Sequence, residues 1–348
     1  MNPYLTRPVA LAFALVALTS CNDTPTEPES ATSPVPDAEL AVAANSWSTR
    51  ANMPSDRFDP AVAVVTNAQG QTVLYAIAGT TNAGGNVPLG KVQAYNAATN
   101  TWTTRASLPV ALRNTNGAGA INGRIYLSGG HRYNGSIVPY LFEYNPATDR
   151  WTRKRDLPNS GFGGVTGVYQ NKLYVLTYCQ GVANEPGCGA SSSAMGVYRY
   201  DPAADQWTFL SVAPRNHFGG MGGFIGGRFY LTGGASASPE EALDVYDPAT
   251  NSWDTRAPMP SGRFRAAYAA IGVKLYIVGG TEKDVQTGFY DLSRSMIRYD
   301  PASNSWTTLA PLPSLRNGLA GGRVVVNGQA RFEVVGGARP GNNLQYTP

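Results

Sequence analysis

The chain reads as an all-β protein made of repeated four-stranded units, and three observations lead there. One phrase recurs as YNAATNTW ending at Trp102, YNPATDRW at Trp151, YDPAADQW at Trp207, YDPATNSW at Trp253 and YDPASNSW at Trp306. The tryptophans at 47, 102, 151, 207, 253 and 306 have a mean spacing of about 52 residues, a period characteristic of repeat architectures. Gly and Pro together make up about 18% of the residues while charged residues are only 14%, which suits many short strands and turns better than salt-bridged helices.

Each element of a unit has a local reason. In the second unit a strand, GAGAIN, meets a turn at Asn122-Gly123 and continues as GRIYLSGG; both central positions of a type I′ hairpin turn need positive φ, which Asn and Gly tolerate. A variable loop and an apolar third strand follow, running into EYNPATD. There Pro presets φ for a turn and the closing Asn or Asp accepts left-handed geometry. RWTRK is the fourth strand. Tyr and Trp flank the turn on adjacent strands and offer large faces to a neighbouring sheet; all six tryptophans are expected in the core. A divided sixth copy remains, since Trp47 has no tyrosine before it and the chain ends at QYTP. Residues 316 to 348 are therefore expected to supply three strands of a last unit, and the segment around Trp47 the fourth.

The N-terminal residues differ in kind. Arg7, the apolar run Val9 to Leu18 and then Thr19, Ser20 and Cys21 have the charge, length and small-residue ending of an export signal, expected over residues 1–20. LTSC resembles a bacterial lipobox, which implies lipidation of Cys21. Residues 21–44, rich in Thr, Pro, Glu, Ser and Ala without an aromatic, are expected to be a disordered tether. Cys179 and Cys188 then remain, and an oxidising compartment favours a disulfide between them. With two histidines, His131 and His217, no metal site is expected, and no cofactor. A net charge of +4 without basic runs argues against a nucleic-acid partner.

Residues 45–348 resemble the kelch family of β-propellers, on the period and on the glycine pairs Gly129-Gly130, Gly233-Gly234, Gly279-Gly280 and Gly336-Gly337, with Ala78-Gly79 close to them. The resemblance implies a six-bladed kelch β-propeller with four-stranded blades, closed by the N-terminal strand joining the C-terminal blade. It places function on the face of the variable two-to-three loops. There it implies a ligand pocket lined by Arg57, Arg113, Arg215, Arg263 and Arg316, with Asn114, Asn216, Asn317, His131 and His217 beside them. Guanidinium forks suit carboxylates; the alternative, that these arginines bond to loop carbonyls and nearby carboxylates, stays open. The third blade departs from the pattern, with Gly161 for arginine and Thr177-Tyr178 for the glycine pair.

Copper chemistry of the galactose oxidase kind is rejected, because neither histidine follows a tyrosine. The exported six-bladed sialic-acid mutarotases are also similar in architecture. Their chemistry would need a proton donor and acceptor, and His131, His217, Glu282, Asp291 and Glu185 are candidates of equal standing. No nucleophile elbow, phosphate loop or metal cluster is present in the sequence. The expectation is a monomeric, exported binding module of the cell envelope, anchored by lipid alone, that presents its loop face to a glycan or an envelope protein. A sugar-acid mutarotase or epimerase is the alternative.

Overall fold

The computed structural model divides the chain into residues 1–41 and a second unit, Val42–Pro348. It describes residues 43–348 apart from 82–86, 179–193, 236–239, 284–288 and 338–342, and all regular elements among them are strands. Six four-stranded antiparallel sheets follow one another. Their innermost strands are Ala61–Thr66, Ala118–Ile121, Val165–Tyr169, Met221–Ile225, Ala267–Ile271 and Leu319–Val326. Each touches the next in chain order and the sixth touches the first, closing a ring of six blades.

The divided phrase closes that ring as expected. Ser46–Arg50 is the outer strand of the sixth blade and pairs antiparallel with Asn343–Thr347, placing Trp47 opposite Tyr346. The hairpin at Asn122-Gly123 also has both residues at positive φ, 48° and 75°.

The structure explains why the phrase repeats. Each tyrosine faces its tryptophan across the third and fourth strands, with ring centroids 4.9–5.2 Å apart. The tyrosine hydroxyl donates to the Asn or Asp that closes the turn, as from Tyr95 to Asn100 and from Tyr346 to Asn45, both 2.8 Å. In five copies the same carbonyl or carboxylate oxygen accepts a backbone N–H from the preceding blade: Ala51, Ala106, Arg155, Ala257 and Ala310. The carbonyls of these same five residues accept the indole N–H of Trp102, Trp151, Trp207, Trp306 and Trp47. Trp253 bonds instead to the Ser211 hydroxyl, and Asn251 donates to the Leu210 carbonyl. The phrase is a clamp between blades, and at about 1 kcal/mol per hydrogen bond it resists radial splaying at every junction.

Apolar packing follows the same plan, because a blade alone leaves both faces bare. Separate clusters fill the junctions, such as Tyr75, Ile77 and Val92 with Ile125, Leu127 and Tyr144 between the first two blades, or Leu74 and Tyr95 with Val324 and Val335 between the sixth and the first. Near the axis the sheets converge: a Cβ on Gly119 would lie 2.6 Å from the Leu173 side chain of the next blade.

At the end of the second strand a glycine ties five of the six blades, all but the third, to the entrance of the neighbouring blade. The N–H groups of Gly79, Gly130, Gly234, Gly280 and Gly337 donate to the carbonyls of Leu112, Gly161, Arg263, Arg316 and Arg57. This ladder sets the true register of the blade entrances. Arg57, Arg263 and Arg316 share one position with Leu112 and Gly161. In the fourth blade that position belongs to His217, four residues before Met221 as Arg57 is before Ala61. Arg113 and Arg215 are therefore out of line with the other three. In the third blade two departures compensate each other: a Cβ on Gly161 would lie 2.1 Å from the Thr177 hydroxyl, which donates instead to Asn116 of the second blade at 2.7 Å.

Candidate functional site at the loop face

The entrances of the innermost strands carry a second ring. Asp59, Asn114, Gly163, Gly219, Arg265 and Gly318, one per blade, all have left-handed φ between 46° and 68°. They are linked head to tail through the backbone: Gly163 donates to Asn114, Gly219 to Gly163, Arg265 to Gly219, Gly318 to Arg265 and Asp59 to Gly318, at 2.7–3.2 Å. The ring frames a cavity of about 410 Å³ on the axis, to which every blade contributes. Three blades use glycine where this φ is free of strain. Asp59 and Asn114 are residue types that tolerate this φ, whereas Arg265 holds it at a steric cost.

The polar wall is an ion pair between the first and fifth blades. Arg265 Nε lies 3.2 Å from Asp59 Oδ2, with side-chain exposures of 40% and 18%, and the guanidinium sits over the Phe58 ring at 5.3 Å. Gly318 of the sixth blade makes room for that ring; a Cβ there would lie 2.3 Å from Phe58. Burial pushes the Asp59 carboxyl up to about 6 against the opposing pull of Arg265. Thr115, Thr166, Tyr268 and Phe218 also line the cavity.

An aromatic patch spans the second to fourth blades. Phe162 lies 4.0 Å from the His131 ring, 5.6 Å from Tyr178 and 5.1 Å from Phe218. Asn216 donates to the Tyr178 hydroxyl at 3.2 Å and accepts the Phe218 N–H. Arg113 and His131 exchange backbone hydrogen bonds, and burial together with the Arg113 charge holds the His131 ring below its ordinary range.

The residues expected at the mouth thus separate. His131, Arg113 and Asn216 gather at the aromatic patch, and Asn114 lines the cavity. Arg57, Arg263 and Arg316 are buried inside their blades. Arg57 donates to the carbonyls of Ala76 and Lys91 and to Gln93. Arg263 reaches the Gly279 and Ser295 carbonyls and Glu282, and Arg316 bonds to Ser314. Asn317 donates to Thr281. Exposed Arg215 pairs with the wholly buried Asp244, and His217, also wholly buried, lies between Asp244 and the Gly233 carbonyl. Burial raises the Asp244 carboxyl, but hydrogen bonds from His217, Arg215 and Thr255 outweigh it and leave it low.

Of the expected proton carriers, Glu282 is held by Arg263, Ser293 and Ser295, and Asp291 sits on an exposed edge strand. Cys21, Cys179, Cys188 and Glu185 lie outside the described residues, and among the described residues no metal-binding cluster occurs. Sequence reasoning missed Asp59, Arg265, Phe162, Tyr178 and Phe218. The paired triplets Arg57-Phe58-Asp59 and Arg263-Phe264-Arg265 carried a signal for the first two.

Comparison with known proteins gives the architecture its name. Residues 112–158 and 262–313 match the kelch motif. A solved structure titled "Structure of YjhT" superposes with a TM-score of 0.64, covering 84% of this chain and 94% of that one at 16% identity. The ring has the fold of a kelch β-propeller. The chain is 30% identical to human Kelch-like protein 34 over 140 residues, 39% of this chain and 20% of that protein. It is 31% identical to Kelch-like protein terF of Aspergillus terreus over 156 residues, 41% and 32% of the two chains. The chain therefore matches about one fifth to one third of the length of these relatives. A kelch propeller suggests an interaction module, and its site must be argued from its own residues.

Proposed function

We infer that this chain is an exported recognition module, held to the cell envelope through a lipidated Cys21 and the tether after it, that captures a glycan at the central mouth without turning it over. One observation carries this reading: the axial cavity of about 410 Å³ falls within the size range of small-ligand sites. It joins ring faces, Phe218 and Tyr268, to hydrogen-bonding groups, Asn114, Thr115, Thr166 and the Asp59–Arg265 pair. Aromatic faces take the C–H side of a sugar while the polar groups take its hydroxyls. A disulfide between Cys179 and Cys188, which lie outside the described residues, belongs to the same proposal. Thermal unfolding with a panel of neutral and acidic oligosaccharides tests the reading. A ligand at about 100 times its dissociation constant adds about 2.7 kcal/mol, and the rise should vanish in Asn114→Ala and Phe218→Ala. No rise with any sugar would transfer the mouth to a protein partner.

A second reading, proton transfer in sugar-acid ring opening, is favoured by Asp59, whose carboxyl at about 6 is suited to a general base near neutrality. Exchange between anomers followed by NMR decides: acceleration lost in Asp59→Asn would make the module an enzyme.

A further inference from the structure

We propose that the Asp59–Arg265 pair is an internal stand-in for a ligand's carboxylate, so that a small carboxylate enters the mouth by replacing Asp59 on Arg265 while Asp59 takes up a proton. The proposal rests on the central mouth being the binding site and specifies its ligand. Four observations converge on it. Arg265 holds a left-handed backbone, φ 55°, in a ring where three blades use glycine, and this strain keeps a guanidinium at the mouth. Phe58 supports that guanidinium from one side, and the bare Gly318 leaves room for the Phe58 ring. The pair lines the cavity and is partly open to it. Arg57 and Arg263, by contrast, are committed to oxygens inside their blades.

A guanidinium binds one carboxylate well in a bidentate fork, and Asp59 reaches it through Nε. An incoming carboxylate that takes this cation leaves Asp59 half-buried beside a second negative charge. A carboxyl so placed gains a proton from solvent rather than staying ionised. Among the described residues, the other charged or titratable groups lining the cavity are Arg265 and Tyr268; burial pushes the Tyr268 hydroxyl up to about 12, so it stays neutral throughout. Arg57, two residues before Asp59, directs its guanidinium into its own blade.

Isothermal titration calorimetry of the full chain tests this with sodium glucuronate, N-acetylglycine and glucose, each in two buffers of different ionisation enthalpy. A carboxylate probe should bind with uptake of close to one proton at pH 7.5. Its affinity should fall about tenfold per pH unit above about 6. Asp59→Asn should bind it without proton uptake, independently of pH, and at pH 7.5 roughly 30-fold more tightly than the natural chain. Arg265→Met should lose the carboxylate probes. Which of the two acids binds tells whether the carboxylate sits on a sugar or on a peptide end. Binding of glucose with neither acid, or of an acid without proton uptake, overturns the exchange and leaves the mouth as a site. Silence with all three probes overturns both. If the pair only staples the blades, Asp59→Asn lowers the melting temperature and gains no affinity, which also overturns the proposal.

Discussion

Glu333→Gln should remove a pH dependence that the fold carries in its sixth blade. Glu333 pairs across the sheet with Gln345, at the register that Tyr75, Tyr126, Tyr174, Tyr230 and Tyr276 hold in the other five blades. It is wholly buried. One oxygen accepts from Gln345 Nε2 at 2.8 Å, and Asn343 is a further hydrogen-bonding neighbour of the carboxyl. Burial raises the carboxyl from 4.5 to about 8, with Gln345 and Arg50 pulling the other way. The folded chain therefore keeps the proton up to about pH 8, whereas the unfolded chain releases it near 4.5. Between those values unfolding releases a proton, so stability is full below 4.5 and falls as pH rises, by about 1.4 kcal/mol per pH unit. The whole interval amounts to about 5 kcal/mol as an upper bound. Glutamine imitates the protonated acid and does not titrate. Urea unfolding of both chains at pH 5, 6, 7, 8 and 9, followed by tryptophan fluorescence, should show Glu333→Gln gaining on the natural chain up to pH 8 and levelling beyond. A gap that does not change with pH, or one that closes as pH rises, would refute a proton held by burial.

Other outcomes follow from the same geometry. A chain that begins at Asp56 lacks the strand Ser46–Arg50 and the Asn45 and Trp47 clamp; it should melt well below the full chain and aggregate through the bared edge of Asn343–Thr347, and equal stability would contradict closure. Gln93→Glu should stabilise by about 1–2 kcal/mol, because Arg57 is buried among neutral oxygens and a charge-assisted pair is stronger; equilibrium urea unfolding reads it. Asn304→Ala cuts the bonds to Tyr299 and Ala257 and should cost about 1–2 kcal/mol by the same measurement. Gly318→Val must displace Phe58 and strain a left-handed backbone, so it should cost more than 1 kcal/mol and abolish carboxylate binding in calorimetry.

The ring, its six blades and its closure were legible in the linear chain, because they rest on local rules. Turn chemistry at Asn122-Gly123, glycine pairs and the Tyr–Trp period recur at fixed offsets, and the divided copy at Trp47 and Tyr346 has one geometric solution. The site was less legible, because it depends on register between blades. Arg57, Arg113, Arg215, Arg263 and Arg316 look alike in sequence, yet a shift of one or two residues at an entrance changes which side chain turns inward. The backbone ladder from Gly79, Gly130, Gly234, Gly280 and Gly337 sets that register, and neighbours distant in sequence supply it. Phe58, beneath the Arg265 guanidinium, has its place because Gly318, in the blade between Arg265 and Asp59, is bare. Local chemistry wrote the repeat, whereas the choice between buried arginine and cavity-facing arginine came from packing around the axis, where six strand entrances compete for one small space.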